Sequence, residues 1–140
     1  MPLSQDQKVV HFLSRTSFGP TPEDVQKVTR LGIRAYLDEQ LEPEKISDNT
    51  AEEKVAALKT MRLTSRELFE LYPPPKVAQE RGMMPSEMNA PRFVILELQQ
   101  ARLLRAVYSQ RQLYEVVVDF WNNHFNIFVA KGADLSLIHI

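Results

Sequence analysis

The run Asp119-Phe120-Trp121-Asn122-Asn123-His124 holds the densest set of side chains able to do chemistry. On a helix, Trp121 and Phe120 stand three and four residues before His124, so both rings share its face. Asp119 stands five residues before His124 and faces it only if the helix ends first. Glu115 and Asp119 share a face, four apart. A catalytic reading makes His124 a proton carrier or metal ligand, with Asp119 or Glu115 as its carboxylate partner. A structural reading makes His124 a buried, hydrogen-bonded residue packed on Trp121. The structural reading is preferred, because one histidine without a second ligand specifies no metal site.

Other candidates have plainer readings. His11, beside Phe12, suits a core edge or a surface. Asn122, Asn123 and Asn126 could hydrogen-bond a ligand, or could end a helix, because Asn tolerates the left-handed conformation. Arg102, Arg105 and Arg111 could hold an anion; surface ion pairing with Glu97 and Glu115 is preferred. Pro73-Pro74-Pro75 could dock a partner as a polyproline helix, but is expected to pin a turn. Met83, Met84 and Met88 suit an adaptable contact surface or gap filling. There is no cysteine, which removes disulfides, thiolate zinc sites and cysteine nucleophiles. No Walker loop, G-x-G-x-x-G, G-x-S-x-G or H-E-x-x-H occurs, so no cofactor-binding or metal residue is assigned.

The chain that must position these residues has 140 of them, enough for one domain with a core. With 44% hydrophobic and 25% charged residues it reads as globular rather than disordered. A net charge of -1 gives no support for a nucleic-acid partner. No apolar run is long enough to span a bilayer, and MPLSQDQKVV does not read as a signal peptide as it stands.

Helix punctuation predicts an all-α fold of about seven helices, most of them short. Capping-box spacing occurs at Ser4/Gln7, Thr50/Glu53, Thr64/Glu67 and Ser109/Gln112. Thr21-Pro22-Glu23-Asp24 reads as a further start, and Gly32 as a stop. The spacing predicts helices over residues 5–15, 22–31, 33–41, 51–60 and 65–72, with apolar positions such as Val9, Leu13, Val55 and Phe69, the third helix burying Tyr36, Leu37 and Leu41. Residues 73–89 read as an extended Pro/Met-rich loop. Two stronger helices follow, over residues 90–108 and from after Ser109 to His124. The first has an apolar stripe through Phe93, Leu96, Ala101, Leu104 and Val107.

Three segments carry a family resemblance: HFLSRTSFGPTPEDV, ELFELYPPP and LQQARLLRAVYSQRQLYEVVVDFWNNHFNIF. Together they resemble the bacterial domain-of-unknown-function 1800 family, in the right order across nearly all of residues 3–134. The resemblance implies a mostly helical protein several times longer than this chain, with many members exported or in the cell envelope. It also implies a protein partner encoded by a neighbouring gene. Asn122 departs from members with histidine there, which weakens a metal site built on a histidine pair.

Residues 1–134 are therefore expected to form the N-terminal part of one incomplete helical domain. Residues 135–140, LSLIHI, match a translated transposon-end adapter and are expected to be a sequencing-adapter or cloning artefact, so His139 is set aside. Phe120, Trp121, Phe125, Ile127 and Phe128 are each worth roughly 1.5–3 kcal/mol when buried. Without partners they are expected to leave an exposed apolar patch. Two functions are expected from this reading. One is a non-catalytic helical protein of the envelope or exported space that acts through association. The other is an enzyme of hydrolase-like kind, with a site around Asp119 and His124 completed by residues beyond this chain.

Overall fold

Side-chain hydrogen bonds open several helices where the sequence places them. The computed structural model describes residues 4–83 and 91–125. Met84, Met88, Asn126, Ile127, Phe128 and residues 135–140 lie outside the described residues, so the expectations attached to them do too. Among the described residues there are eight α-helices and no strand, an all-α fold.

Two compact units are present. In the first are α1 (Gln5–Thr16), α2 (Pro22–Leu31), α3 (Ile33–Gln40), a 3-10 turn (Pro43–Lys45) and α8 (Gln112–His124). It also takes the start of α4 (Asn49–Ala56) and the end of α7 (Pro91–Tyr108). Ser4 caps α1 in a capping box with Gln7, and Thr21 caps α2 in one with Asp24. Gly32 ends α2 and precedes α3 at φ 89°, a conformation natural only to glycine. The core is Val9, Leu13, Val28 and Tyr36, with Phe12, Val25 and Ile33 against it. Phe12 meets Tyr36 edge-on at 6.1 Å. Tyr36 is buried as expected; Leu41 is exposed because the helix ends at Gln40 and the chain turns there.

The second unit holds the rest of α4, a 3-10 turn (Thr60–Arg62), α5 (Ser65–Leu71), α6 (Pro75–Glu80) and α7 as far as Leu104. Thr64 caps α5 in the expected box with Glu67. Tyr72 stacks on Phe93 with ring centroids 6.3 Å apart, and the Arg81 guanidinium lies over the Phe69 ring.

Several expectations are corrected. The proline-rich stretch is not loop throughout. Pro74 and Pro75 open α6, since proline's missing N–H costs nothing in a first helical turn. Pro73 is buried, which suits a pinned turn rather than a polyproline ligand. Helix α4 runs Asn49–Ala56 rather than 51–60. It stops short of Thr60 because the Thr60 N–H donates to the buried Glu97 carboxylate at 2.6 Å, not to a helix carbonyl. Thr50 therefore lies inside the first turn instead of capping it. The buried stripe of α7 is Val94, Glu97 and Ala101, while Leu96, Leu103 and Val107 are exposed. Helix α7 carries apolar residues on nearly every side, so periodicity alone does not select the inner face.

Candidate functional site

Two places gather the side chains that could act: the turn between α7 and α8, and the aromatic end of α8.

The turn Ser109-Gln110-Arg111 is held by side chains from distant positions. The Ser109 hydroxyl donates to Asp48 Oδ2 at 2.7 Å and accepts the Arg111 N–H at 3.0 Å. The Gln110 N–H donates to Asp48 Oδ1 at 2.7 Å. Gln40 grips both sides of the turn: its Nε2 donates to the Gln110 carbonyl at 2.9 Å, and its Oε1 accepts the Leu113 N–H at 3.1 Å. Gln112 accepts the Phe18 N–H and donates to the carbonyls of Ser109 and Ala106. Arg111 Nε donates to the Ile46 carbonyl at 3.0 Å. Asp48, Gln40, Ser109 and Gln112 are all buried. Buried polar groups are costly unless satisfied, and here each of these has its partners.

This network replaces the capping box expected at Ser109 and Gln112. Arg111 stands at the N-cap of α8 and its side chain makes no cap bond. Gln40 instead satisfies one of the orphan N–H groups of the first turn, that of Leu113. Chemically the cluster is a clamp. Ser109 and Asp48 have no histidine between them, and the hydroxyl is engaged as donor and acceptor, so it is not an activated nucleophile of the triad kind.

At the other end of α8, His124 stacks on Phe120 with centroids 5.7 Å apart and meets Trp121 edge-on at 5.5 Å and Phe125 edge-on at 5.3 Å. Trp121 in turn stacks on Phe125 at 5.4 Å. The shared face expected for Phe120, Trp121 and His124 is present. The buried environment preferred for His124 is not found, since the residue is exposed; Phe120 (57%), Trp121 (48%) and Phe125 (63%) are exposed with it, an apolar patch of the kind expected. Helix α8 packs toward α1 and α3, and its buried and half-buried residues, Gln112, Leu113 and Val116, lie in its first half, while its aromatic end is left exposed. Asp119 does not pair with His124; its Oδ2 accepts from Asn123 Nδ2 at 3.0 Å, one turn on. Among the described residues no group of three or more His, Asp or Glu is arranged to hold a metal ion.

A family model described as a protein of unknown function, DUF1800, matches residues 11–139. The chain belongs to the DUF1800 family. No curated protein and no solved structure matches it. In this DUF1800 chain the recognisable segments fall on α1 to α2, on α5 with the prolines that open α6, and on α7 to α8. The last of these contains both the clamped turn and the aromatic end.

Electrostatics around the clamp are set by burial. The Glu115 carboxyl is held above its ordinary range, first by burial and then by Asp48, against the pull of Arg105 and Arg111. Burial wins because the two guanidiniums offset only part of the desolvation. Glu97 is different: it is buried on Thr60, not a surface partner. Tyr36 is pushed up to about 12, by burial first and then by Asp24 and Glu39. Lys27 pairs with Glu39 at 2.7 Å and lies 5.2 Å from the Tyr36 ring centroid. A shallow cleft of about 530 Å³ runs beside these groups, lined among others by Phe18, Asp24, Lys27, Tyr36 and Gln112.

His11 is exposed and Asn122 half-buried on α8. Asp48 and Gln40 were not singled out by sequence reasoning. Asp48 sits in a polar segment that reads as loop, and its partners lie 61 and 62 positions away. No local spacing announces them. Among the described residues no helix is long and apolar enough to cross a membrane.

Proposed function

We propose that this chain is a non-catalytic helical protein of the bacterial envelope or exported space that works through protein association, and that the aromatic end of α8 makes the contact. The observation that supports this is the outward stripe Phe120, Trp121 and Phe125, contiguous through ring-on-ring contacts. Aromatic residues are the usual anchors of protein interfaces, since they remove much apolar area from water at small entropy cost. A contiguous exposed cluster of them is uncommon on a surface with no partner.

The alternative enzyme reading would rest on His124 as a proton carrier, so the two separate by substitution. Trp121→Ser removes the central anchor and leaves the imidazole. His124→Gln removes the proton carrier and leaves the aromatic stripe. Each variant is used to complement a deletion strain, and the purified proteins are compared by thermal unfolding. Trp121 is half exposed, so its loss is expected to move the midpoint by less than about 4 °C. The expected result is loss of function in Trp121→Ser and retention in His124→Gln. Function lost in His124→Gln and kept in Trp121→Ser would overturn the association reading.

A further inference from the structure

We infer that the cleft beside the start of α2 binds a primary ammonium group carried on an aliphatic chain, through Tyr36, Asp24 and Glu23. The site is separate from the aromatic end of α8, so it stands or falls independently of the association reading.

An orphan hydroxyl points to a ligand. Tyr36 is only 3% exposed, yet it lines the cleft. Its ring is fully engaged: Phe12 meets it edge-on, and the Lys27 ammonium lies 5.2 Å from its centroid. Its hydroxyl makes no hydrogen bond among the described residues. Among those residues, Thr60 Oγ1 is the side-chain polar atom sealed from solvent without a partner. The Tyr36 oxygen is therefore not sealed; it opens onto the cleft that Tyr36 lines. A nearly buried hydroxyl without a partner costs free energy that a ligand can restore.

The charge around this hydroxyl selects the ligand. Glu23 and Asp24 stand four and three residues before Lys27, so the three share one face of α2, and all line the cleft. The Lys27 charge is answered by Glu39 at 2.7 Å. Asp24 Oδ2 accepts the Thr21 N–H and hydroxyl, which leaves Oδ1 without a partner among the described residues. Glu23 has no ion pair or hydrogen bond among them either. Two carboxylates thus face the cleft uncompensated, which rejects anions and attracts a cation. Acids are common at a helix start and alone would mark no site. Here they join a phenol that burial, and after it Asp24 and Glu39, keep neutral. Asp24 Oδ1, the Glu23 carboxylate and the Tyr36 oxygen offer three acceptors, and a primary ammonium carries three donors. The apolar part of the lining, Phe18, Ala106 and Val107, suits an aliphatic chain; Phe18 is 48% and Val107 69% exposed. About 530 Å³ is room enough for such a ligand.

The test is a titration of the whole 15N-labelled chain with n-pentylammonium, followed by the amide shifts of Phe18, Asp24 and Lys27. Saturable shifts are expected, with a Kd on the order of a few millimolar for so small a ligand. The neutral isostere n-pentanol is expected to bind at least about tenfold more weakly. Tyr36→Phe keeps the ring and removes the hydroxyl; it should weaken binding about three- to tenfold with no fall in the thermal midpoint. Glu23→Gln should weaken it about two- to fivefold. Asp38→Asn makes the same change in net charge outside the lining and should leave the Kd unaltered. Nα-acetyl-lysine methylamide carries the same ammonium on a peptide unit. Saturable binding of either amine supports the site, and the tighter one tells a free amine from a lysine side chain as its source. Pentanol binding as tightly as the amine overturns ammonium recognition. A Kd unchanged by Tyr36→Phe overturns the hydroxyl as anchor. Absence of saturable shifts at about 100 mM of either amine overturns the site.

Discussion

Replacing Asp48 by Ala removes the acceptor at the centre of the α7–α8 clamp. Two hydrogen bonds go with it, from the Ser109 hydroxyl and from the Gln110 N–H, both at 2.7 Å. Hydrogen bonds to a charged group contribute about 1.5–3 kcal/mol each. Gln110 is exposed, so its freed N–H can turn to water and its share sits at the low end. Ser109 is buried and its freed hydroxyl stays dry. The expected loss is therefore about 3–4 kcal/mol, a large part of the ~5–15 kcal/mol that holds a domain folded. At a chain length near 140 this corresponds to a fall in the thermal midpoint of about 10 °C. Asp48→Asn keeps an acceptor for Gln110 and should lose about half as much. Asp38→Ala is the control. Its carboxylate pairs with Arg34 on the surface of the same unit, and exposed pairs contribute about 0–1 kcal/mol. Urea unfolding followed by far-ultraviolet circular dichroism gives the comparison, with the denaturant slope expected to stay constant. An Asp48→Ala variant within about 1 kcal/mol of the parent would show that the clamp is ornament, and the stability argument built on it would fail.

Two further substitutions test local claims. Gly32→Ala should cost about 1–3 kcal/mol, read by the same unfolding curve. A Cβ there meets nothing within 4 Å, so the cost is backbone strain at φ 89° alone. Gly19→Ala, equally open but without a positive φ, should be neutral or slightly stabilising. Glu115 carries a pH signature. Its folded pKa is raised, so the folded state holds its proton more tightly than the unfolded chain does. That contribution is fully present below the unfolded carboxylate value and is lost as pH rises through the raised folded one. Glu115→Gln should flatten this part of the stability profile and raise stability at neutral pH; an unchanged slope would contradict the burial of Glu115.

Local chemistry is legible in this chain wherever a bond closes within one helical turn. Ser4 with Gln7, Thr21 with Asp24 and Thr64 with Glu67 form boxes three residues across. Gly32 ends a helix through its own φ, and Pro75 opens one through its own ring. These depend on neighbours in sequence, so spacing reveals the all-α class and most helix bounds. The DUF1800 resemblance is of the same kind, since it rests on residues read in order.

Tertiary structure decided what spacing leaves open. Ser109 and Gln112 stand at capping-box distance, yet Asp48, Gln40 and Phe18 claim the groups of that turn from 61 to 94 positions away. Glu97 looks like a surface acid and becomes a buried acceptor because Thr60, 37 positions earlier, brings an N–H to it. Helices α7 and α8 are apolar on too many sides for periodicity to choose, so packing chose. Val94 and Ala101 went inward on α7, while Trp121, His124 and Phe125 were left outward on α8. The physical reason is common to all three cases. A buried polar group must be satisfied by whichever partner the fold brings near, and an apolar face is buried only where another element arrives to cover it.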